Sequence, residues 1–259
     1  MDKAFLILLT GHLLGDFVFQ TDWMVERKKR MSVLTLHVAI VVALTAGLFG
    51  GFPWMLLAIL GVTHLVMDVV KARLLDSASW FAFAVDQFVH LGVLFGLAFS
   101  FPDAAAQGYW LRTLSPDDAA IAMVALTGLC AIILGVPVGG VVIALLIRSF
   151  LDQIRDVKNA DDDRGDGGAV GEADLEGLKH GGKVIGWLER GLVLLLVLAG
   201  QPGGVGFIVA AKSILRYGDI KDGRQRRLTE YVISGTFLSF GWALLIAFVA
   251  AGVIAHWRS

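Results

Sequence analysis

The chain has 259 residues, of which 56% are hydrophobic and only 17% charged, with a mean hydropathy of +0.73. Soluble domains hold roughly 45–50% apolar and 25% charged residues, so the composition excludes a soluble globule and indicates an integral membrane protein. A net charge of -1 excludes a global basic field that would recruit nucleic acid, and a single cysteine, Cys130, excludes an internal disulfide and reads as a small buried hydrophobe.

A membrane-crossing helix needs about 20 mostly apolar residues at 1.5 Å each. That template predicts spans at 3–20, 32–51, 53–72, 80–101, 119–148, 184–200, 203–217 and 229–256. The expected fold is an all-α, polytopic transmembrane helical bundle of about eight spans, within a range of seven to nine. The first stretch, "MDKAFLILLTGHLLGD", has the length of a signal peptide. It nevertheless carries His12 and Asp16 in its apolar core and has no small-residue cleavage site, so it reads as a retained span. The 119–148 run contains "GVPVGG" at 135–140 and is either one kinked span or a span followed by an interfacial helix. Spans six and seven are short and joined by "GQPGG" at 200–204, a tight turn or a re-entrant pair.

Basic clusters fix the expected orientation: "ERKKR" at 26–30, Lys71 with Arg73, Arg148 with Arg155 and Lys158, and Lys221 with Arg224, Arg226 and Arg227. With eight alternating spans all of them fall on one side, the cytoplasm, and both termini lie outside. The loop at 102–118, with Asp103, Asp117 and Asp118, has few basic residues and agrees. Three regions are expected: a membrane bundle over 1–150, a polar cytoplasmic linker over 151–183, and a C-terminal three-helix membrane region over 184–259. The Asp161–Asp166 run in the linker lacks the alternation and closing Glu of a calcium loop. His180 has Glu176 four positions earlier, but in the same hydrophilic segment, where spacing alone proves little.

The chemistry sits in the first four spans, each of which holds one histidine: His12, His37, His64 and His90. Three of these have an aspartate four residues away: His12 with Asp16, His64 with Asp68, and His90 with Asp86. Residues at that spacing share one helix face. Acidic residues fill 23 of 259 positions, so roughly one histidine in six would have such a neighbour by chance, and fewer inside apolar runs. Counted from the basic end of each span, Asp16, His37, Asp68 and Asp86 lie roughly 5–10 Å deep, and His12, His64 and His90 roughly 10–15 Å. The seven groups therefore form one band. Carboxylates in a low-dielectric interior persist when paired, hydrated, protonated or bound to a cation, and no lysine or arginine stands among these seven.

A divalent cation is the natural counterion. Imidazole nitrogen with carboxylate oxygen suits Zn, with Mn or Fe possible, and seven potential ligands allow one ion or two. The expected ligands are His12, Asp16, His37, His64, Asp68, Asp86 and His90, with Asp16, Asp68 and Asp86 as candidate catalytic carboxylates. Gln20, one turn along the His12 face, and Gln87 beside Asp86 could orient ligands or substrate, or could simply be polar residues at the membrane interface. Gly11 and Gly15 stand at small-xxx-small spacing, which lets a neighbouring helix approach. Lys71 and Arg73 could attract a phosphate head group, although helix-end anchors reaching to the surface are the favoured reading.

The ordered pattern "GHLLGDFVFQTDW", His37, "THLVMD" and "DQFVH" resembles the bacterial membrane proteins of the DUF3307 family over about residues 3–100, and is similar to membrane-bound metal-dependent hydrolases. The resemblance implies a bacterial inner-membrane, multi-pass protein with a hydrolase-like metal site at His12, Asp16, His64, Asp68, Asp86 and His90, and implies no particular substrate. His37 has no aspartate at the matching spacing. The C-terminal half, with Glu189, Arg190, Lys212, Arg216 and Glu230, resembles a companion segment of longer family members. These charges are expected to tie the last three spans together, the alternative being a head-group or regulatory site.

The leading expectation is a membrane-embedded metal-dependent hydrolase whose partners are the lipid bilayer and an amphiphilic ester or phosphoester near the cytoplasmic leaflet, with no nucleic acid. A divalent-metal or proton-coupled transporter and a metal-stabilised membrane scaffold are the alternatives. Neither metal identity, substrate nor oligomeric state follows from the sequence.

Overall fold

The computed structural model describes residues 1–74, 79–148, 181–216 and 226–259, in which all regular structure is helical and no strand occurs among the described residues. Much of the expected linker, with its acidic run and the Glu176/His180 pair, lies outside the described residues. So do the Lys221–Arg224 stretch and the side chains of Arg216 and Glu230.

The helices are α1 (Asp2–Phe17), α2 (Asp22–Glu26), α3 (Met31–Phe49), α4 (Trp54–Leu74), α5 (Trp80–Ser100), α6 (Ala104–Gln107), α7 (Tyr109–Thr113) and α8 (Pro116–Ile133). A π-helical turn, Leu134–Val138, continues α8 into α9 (139–148), and α10 (Gly181–Leu198), α11 (Gly204–Arg216) and α12 (Arg226–Arg258) follow. Local chemistry marks several boundaries. Ser115 caps α8 by accepting from the Asp118 N–H at 3.2 Å while its hydroxyl donates to Asp118 Oδ2 at 2.6 Å, with Pro116 at the first helical position. Gly50 ends α3 at φ +65 and Gly200 follows α10 at φ +75, the left-handed conformation that a Cβ disfavours.

Five helical runs are long and apolar enough to cross a membrane: Met31–Phe49, Trp54–Arg73, Trp80–Ser100, Pro116–Arg148 and Ile233–Arg258. The expected eight are not all of this kind. Helix α1 has 16 residues and α11 has 13, short of the roughly 20 that a bilayer asks for, and α10 carries Lys183, Glu189 and Arg190. Pro116–Arg148 is one helical run rather than a span plus a separate helix, and its π turn accommodates Pro137. The 200–204 segment is a turn closing α10 onto α11, with Gln201 N–H donating to the Leu196 carbonyl at 2.8 Å.

The chain forms two compact units, Met1–Leu134 with Ala250–Ser259, and Gly135–Val249. In the first, α1, α3, α4 and α5 pack in a closed ring of neighbours, with α8 also on α1. Helix α1 is thus wrapped by protein, which explains how a 16-residue helix bearing an acid sits there. Its glycines set the spacing to α3: a Cβ at Gly11 would collide with Thr45 Oγ1, and one at Gly15 would come within 2.5 Å of Val41 Cγ2.

The core of this bundle is segregated along its length. Ala4, Ile7 and Leu8 of α1, Phe49 of α3, Leu56, Leu57 and Leu60 of α4, and Leu94, Leu97 and Ala98 of α5 make an apolar plug at one end, continued by Ala104 and Ala105. Trp110 of α7 closes that end by donating its indole N–H to the Gly47 carbonyl at 2.8 Å. The other end, reached by the C-termini of α1 and α4 and the N-termini of α3 and α5, holds the histidines and aspartates.

Candidate metal centre

The i, i+4 spacing carries two polar side chains inward from α1 (His12, Asp16), α4 (His64, Asp68) and α5 (Asp86, His90), and α3 adds His37. His12, His37 and His64 are each only 1% exposed, Asp86 2% and Asp68 4%. All seven residues meet in one place. His37 Nε2 lies 3.2 Å from His64 Nε2, 3.3 Å from Asp16 Oδ1 and 3.6 Å from Asp68 Oδ2. His64 Nε2 lies 3.4 Å from Asp16 Oδ1 and 3.7 Å from Asp68 Oδ2.

These distances bear on the expected metal. Bonds of about 2.0–2.1 Å around a tetrahedral ion set neighbouring donor atoms about 3.3–3.4 Å apart, close to the 3.2–3.7 Å that separates the two imidazole nitrogens from each other and from each of the carboxylate oxygens. Asp16 Oδ1 and Asp68 Oδ2 are buried and make no hydrogen bond among the described residues. Anionic oxygens left so would normally be neutralised. The donor set of His37, His64, Asp16 and Asp68 therefore fits a divalent cation. His12, Asp16 and His64 make a second cluster of suitable spacing that shares His64 with the cluster of His37, His64 and Asp68.

The remaining groups frame this quartet. The His12 ring stacks on His90, centroids 5.0 Å apart at 19°, and the His90 ring meets His64 edge-on at 4.3 Å. His90 Nδ1 donates to the Asp86 carbonyl at 2.8 Å, which leaves Nε2 as its basic nitrogen. Ligating histidines usually hold their second N–H in a hydrogen bond. The Nδ1 atoms of His37 and His64 have no such partner among the described residues, so these rings take their orientation from packing. Gln20 approaches His37 Nε2 at 3.3 Å, rather than His12, with which it shares a helix face in sequence. Gln87 bridges, with Oε1 3.4 Å from His12 Nε2 and its amide donating to Asp86 Oδ2 at 3.0 Å.

Lys71 departs from the expectation of a surface anchor. Its ammonium turns inward to pair with Asp86 Oδ2 and lies 5.9 Å from the Phe83 ring. Asp86 is therefore neutralised by a lysine, and the premise that no cationic side chain stands among the seven groups is corrected. The reason is geometric: Lys71 is three residues past Asp68 on the inward face of α4, and the facing α5 carboxylate lies within reach of its stem. Arg73 is exposed, as expected of a helix-end anchor.

In the second unit the expected tie between helices is present. Lys212 of α11 donates to Glu189 of α10 at 2.6 Å. Arg190, 5% exposed, donates to Ser239 Oγ of α12 at 3.2 Å and to the Val136 carbonyl of the π turn at 2.9 Å.

No curated protein and no solved structure matches the chain. Residues 4–113, the segment that contains the His/Asp bundle, match the family model described as protein of unknown function (DUF3307), the family that the sequence motifs resemble.

Proposed function

We propose that the chain is a membrane-embedded, metal-dependent hydrolase of an amphiphilic substrate. The carrying observation is that His37 Nε2 and His64 Nε2 lie 3.2 Å apart and each stands 3.3–3.7 Å from Asp16 Oδ1 and Asp68 Oδ2 in a buried, polar end of the bundle. In this reading those four side chains hold a divalent ion, zinc by donor chemistry, and His12 with His90 completes the polar wall. Such an ion supplies Lewis acidity toward a carbonyl or phosphoryl oxygen and lowers the pKa of a water toward neutrality.

Asp86 stands apart from the quartet, held by Lys71 and Gln87, and is the carboxylate left to accept a proton from the attacking water. Gln20 and Gln87, touching His37 and His12, keep the rings in register. The site lies at the basic end of the bundle, which in this reading faces the cytoplasmic leaflet of a bacterial inner membrane. A substrate with an apolar tail and a reactive head would reach it from there. Transport accounts for the same ligands less well: α1, α3, α4 and α5 run unbroken past the centre, whereas transporter sites favour interrupted helices. The apolar plug also fills the other end of the bundle.

Elemental analysis of detergent-purified protein should give stoichiometric zinc, manganese or iron, with hydrolysis of at least one member of a panel of lipid esters and phosphoesters. Stoichiometric metal with no hydrolysis across the panel would leave the scaffold alternative. Uptake of metal into sealed vesicles would favour the transporter.

A further inference from the structure

His12 is 1% exposed, and its two ring nitrogens meet unlike surroundings. Nε2 stands 3.4 Å from Gln87 Oε1, and Nδ1 stands 3.7 Å from Asp16 Oδ1. Which of them carries the proton follows from a chain of contacts that begins on another helix. The Lys71 ammonium of α4 pairs with Asp86 Oδ2 of α5, and a carboxylate held in this way has only lone pairs to offer. Gln87 therefore turns its amide N–H toward Asp86 Oδ2, 3.0 Å away, which leaves its Oε1 for His12. A carbonyl oxygen only accepts, so His12 Nε2 is the donor and Nδ1 of the neutral ring is the basic nitrogen.

Among the described residues neither His12 Nδ1 nor Asp16 Oδ1 has a hydrogen-bond partner. Two electron-rich atoms this close and out of water are unfavourable unless a cation stands between them. Their separation exceeds hydrogen-bond length and matches the 3.6–3.7 Å between Asp68 Oδ2 and the Nε2 atoms of His37 and His64. His12, Asp16 and His64 each offer a ligand atom within 4.8 Å of the other two. Charge agrees: one divalent ion and the Lys71 ammonium balance the carboxylates of Asp16, Asp68 and Asp86, so a further ligand that adds no charge fits, and the neutral His12 ring is one.

We propose that His12 binds the ion through Nδ1, beside Asp16 and His64, and that Lys71 and Gln87 are positioning residues whose relay through Asp86 fixes the His12 tautomer. The inference rests on the metal reading and adds a ligand to the quartet. Without the relay, Gln87 is free to turn its amide, His12 Nε2 then accepts, and the proton moves to Nδ1, where it blocks the metal.

The first test is nitrogen-15 NMR of the zinc-loaded full chain in detergent with labelled histidine. Zinc-bound Nε2 atoms should be joined by one zinc-bound Nδ1, absent from His12→Leu; zinc-bound Nε2 atoms alone overturn the proposal and leave the quartet as the metal site. The second test measures zinc affinity by competition with a chelator. Lys71→Met and Gln87→Leu should each weaken binding by about 10–100-fold, Lys71→Arg should retain most of it, and Lys71→Met should weaken His12→Leu no further. Losses that add in the double variant, or an arginine variant as weak as the methionine one, give Lys71 a merely structural role and overturn the relay. A wild-type chain that takes up no zinc, manganese or iron removes the metal reading itself, and the proposal with it.

Discussion

The two compact units bury charge in apolar helices by opposite means. In the Gly135–Val249 unit the charges are settled internally: Glu189 meets Lys212, and Arg190 is held by a serine hydroxyl and a carbonyl of the π turn. In the N-terminal bundle, among the described inward-facing carboxylates only Asp86 has a lysine or arginine against it, and the oxygens of Asp16 and Asp68 each approach the same two imidazole nitrogens. The first arrangement pairs each charged group with the chain's own atoms, whereas the second leaves Asp16 Oδ1 and Asp68 Oδ2 without a hydrogen bond among the described residues, the imbalance that the proposed cation would settle. Desolvated charge thus marks a candidate site only where the polypeptide has not already balanced it.

The largest expected effect comes from removing the imbalance. Asp16→Asn with Asp68→Asn should abolish bound metal, beyond the roughly 10–100-fold that loss of an outer partner costs, while the helical circular dichroism spectrum is retained. Metal retained in the double variant would break the comparison. The corresponding cut in the second unit, Arg190→Met, should act on stability alone. It strands the Val136 carbonyl and the Ser239 hydroxyl and should lower stability by about 1–3 kcal/mol, seen as a lower melting temperature in detergent with unchanged metal content.

A packing change should couple the two readouts. Gly15→Leu forces α1 away from Val41 of α3 and is expected to cost about 1–3 kcal/mol and to reduce metal content in parallel, since α1 and α3 carry facing ligands. Gln87→Leu should lower metal affinity or turnover about 10–100-fold with a near-normal melting temperature, because its amide bridges His12 and Asp86 without being a ligand in the quartet. The smallest effect is expected for Glu189→Gln with Lys212→Met. Replacing both members of a half-buried pair should move stability by no more than about 1 kcal/mol and leave the metal untouched.

The spacing of His12/Asp16, His64/Asp68 and Asp86/His90 made one band of polar groups legible before any coordinates, because a helix puts i and i+4 on one face and hydrocarbon forbids isolated acids. His37 was visible only as a lone histidine, yet it touches Asp16, Asp68, His64 and Gln20. No local partner announces it, since these contacts come from other helices and from the α1–α2 connection. The role of Lys71 was misread for the same reason: its neighbours in sequence suggest a surface anchor, and its partner Asp86 lies on another helix. Counting apolar runs gave eight spans, but α1 and α10 gain their place from packing and ion pairing rather than from apolar length.

What the sequence by itself determined was the solvent and the inventory: apolar helices, a basic end, and acids and imidazoles too costly to submerge unless balanced. Tertiary structure alone decided the division of labour among them. It brought the Nε2 atoms of His37 and His64 each within 3.7 Å of Asp16 and Asp68 and gave Asp86 to a lysine. The physical reason is that coordination and ion pairing depend on distances of 3–4 Å between side chains on different helices, and these are set by how closely glycine-lined helices approach, not by position along the chain.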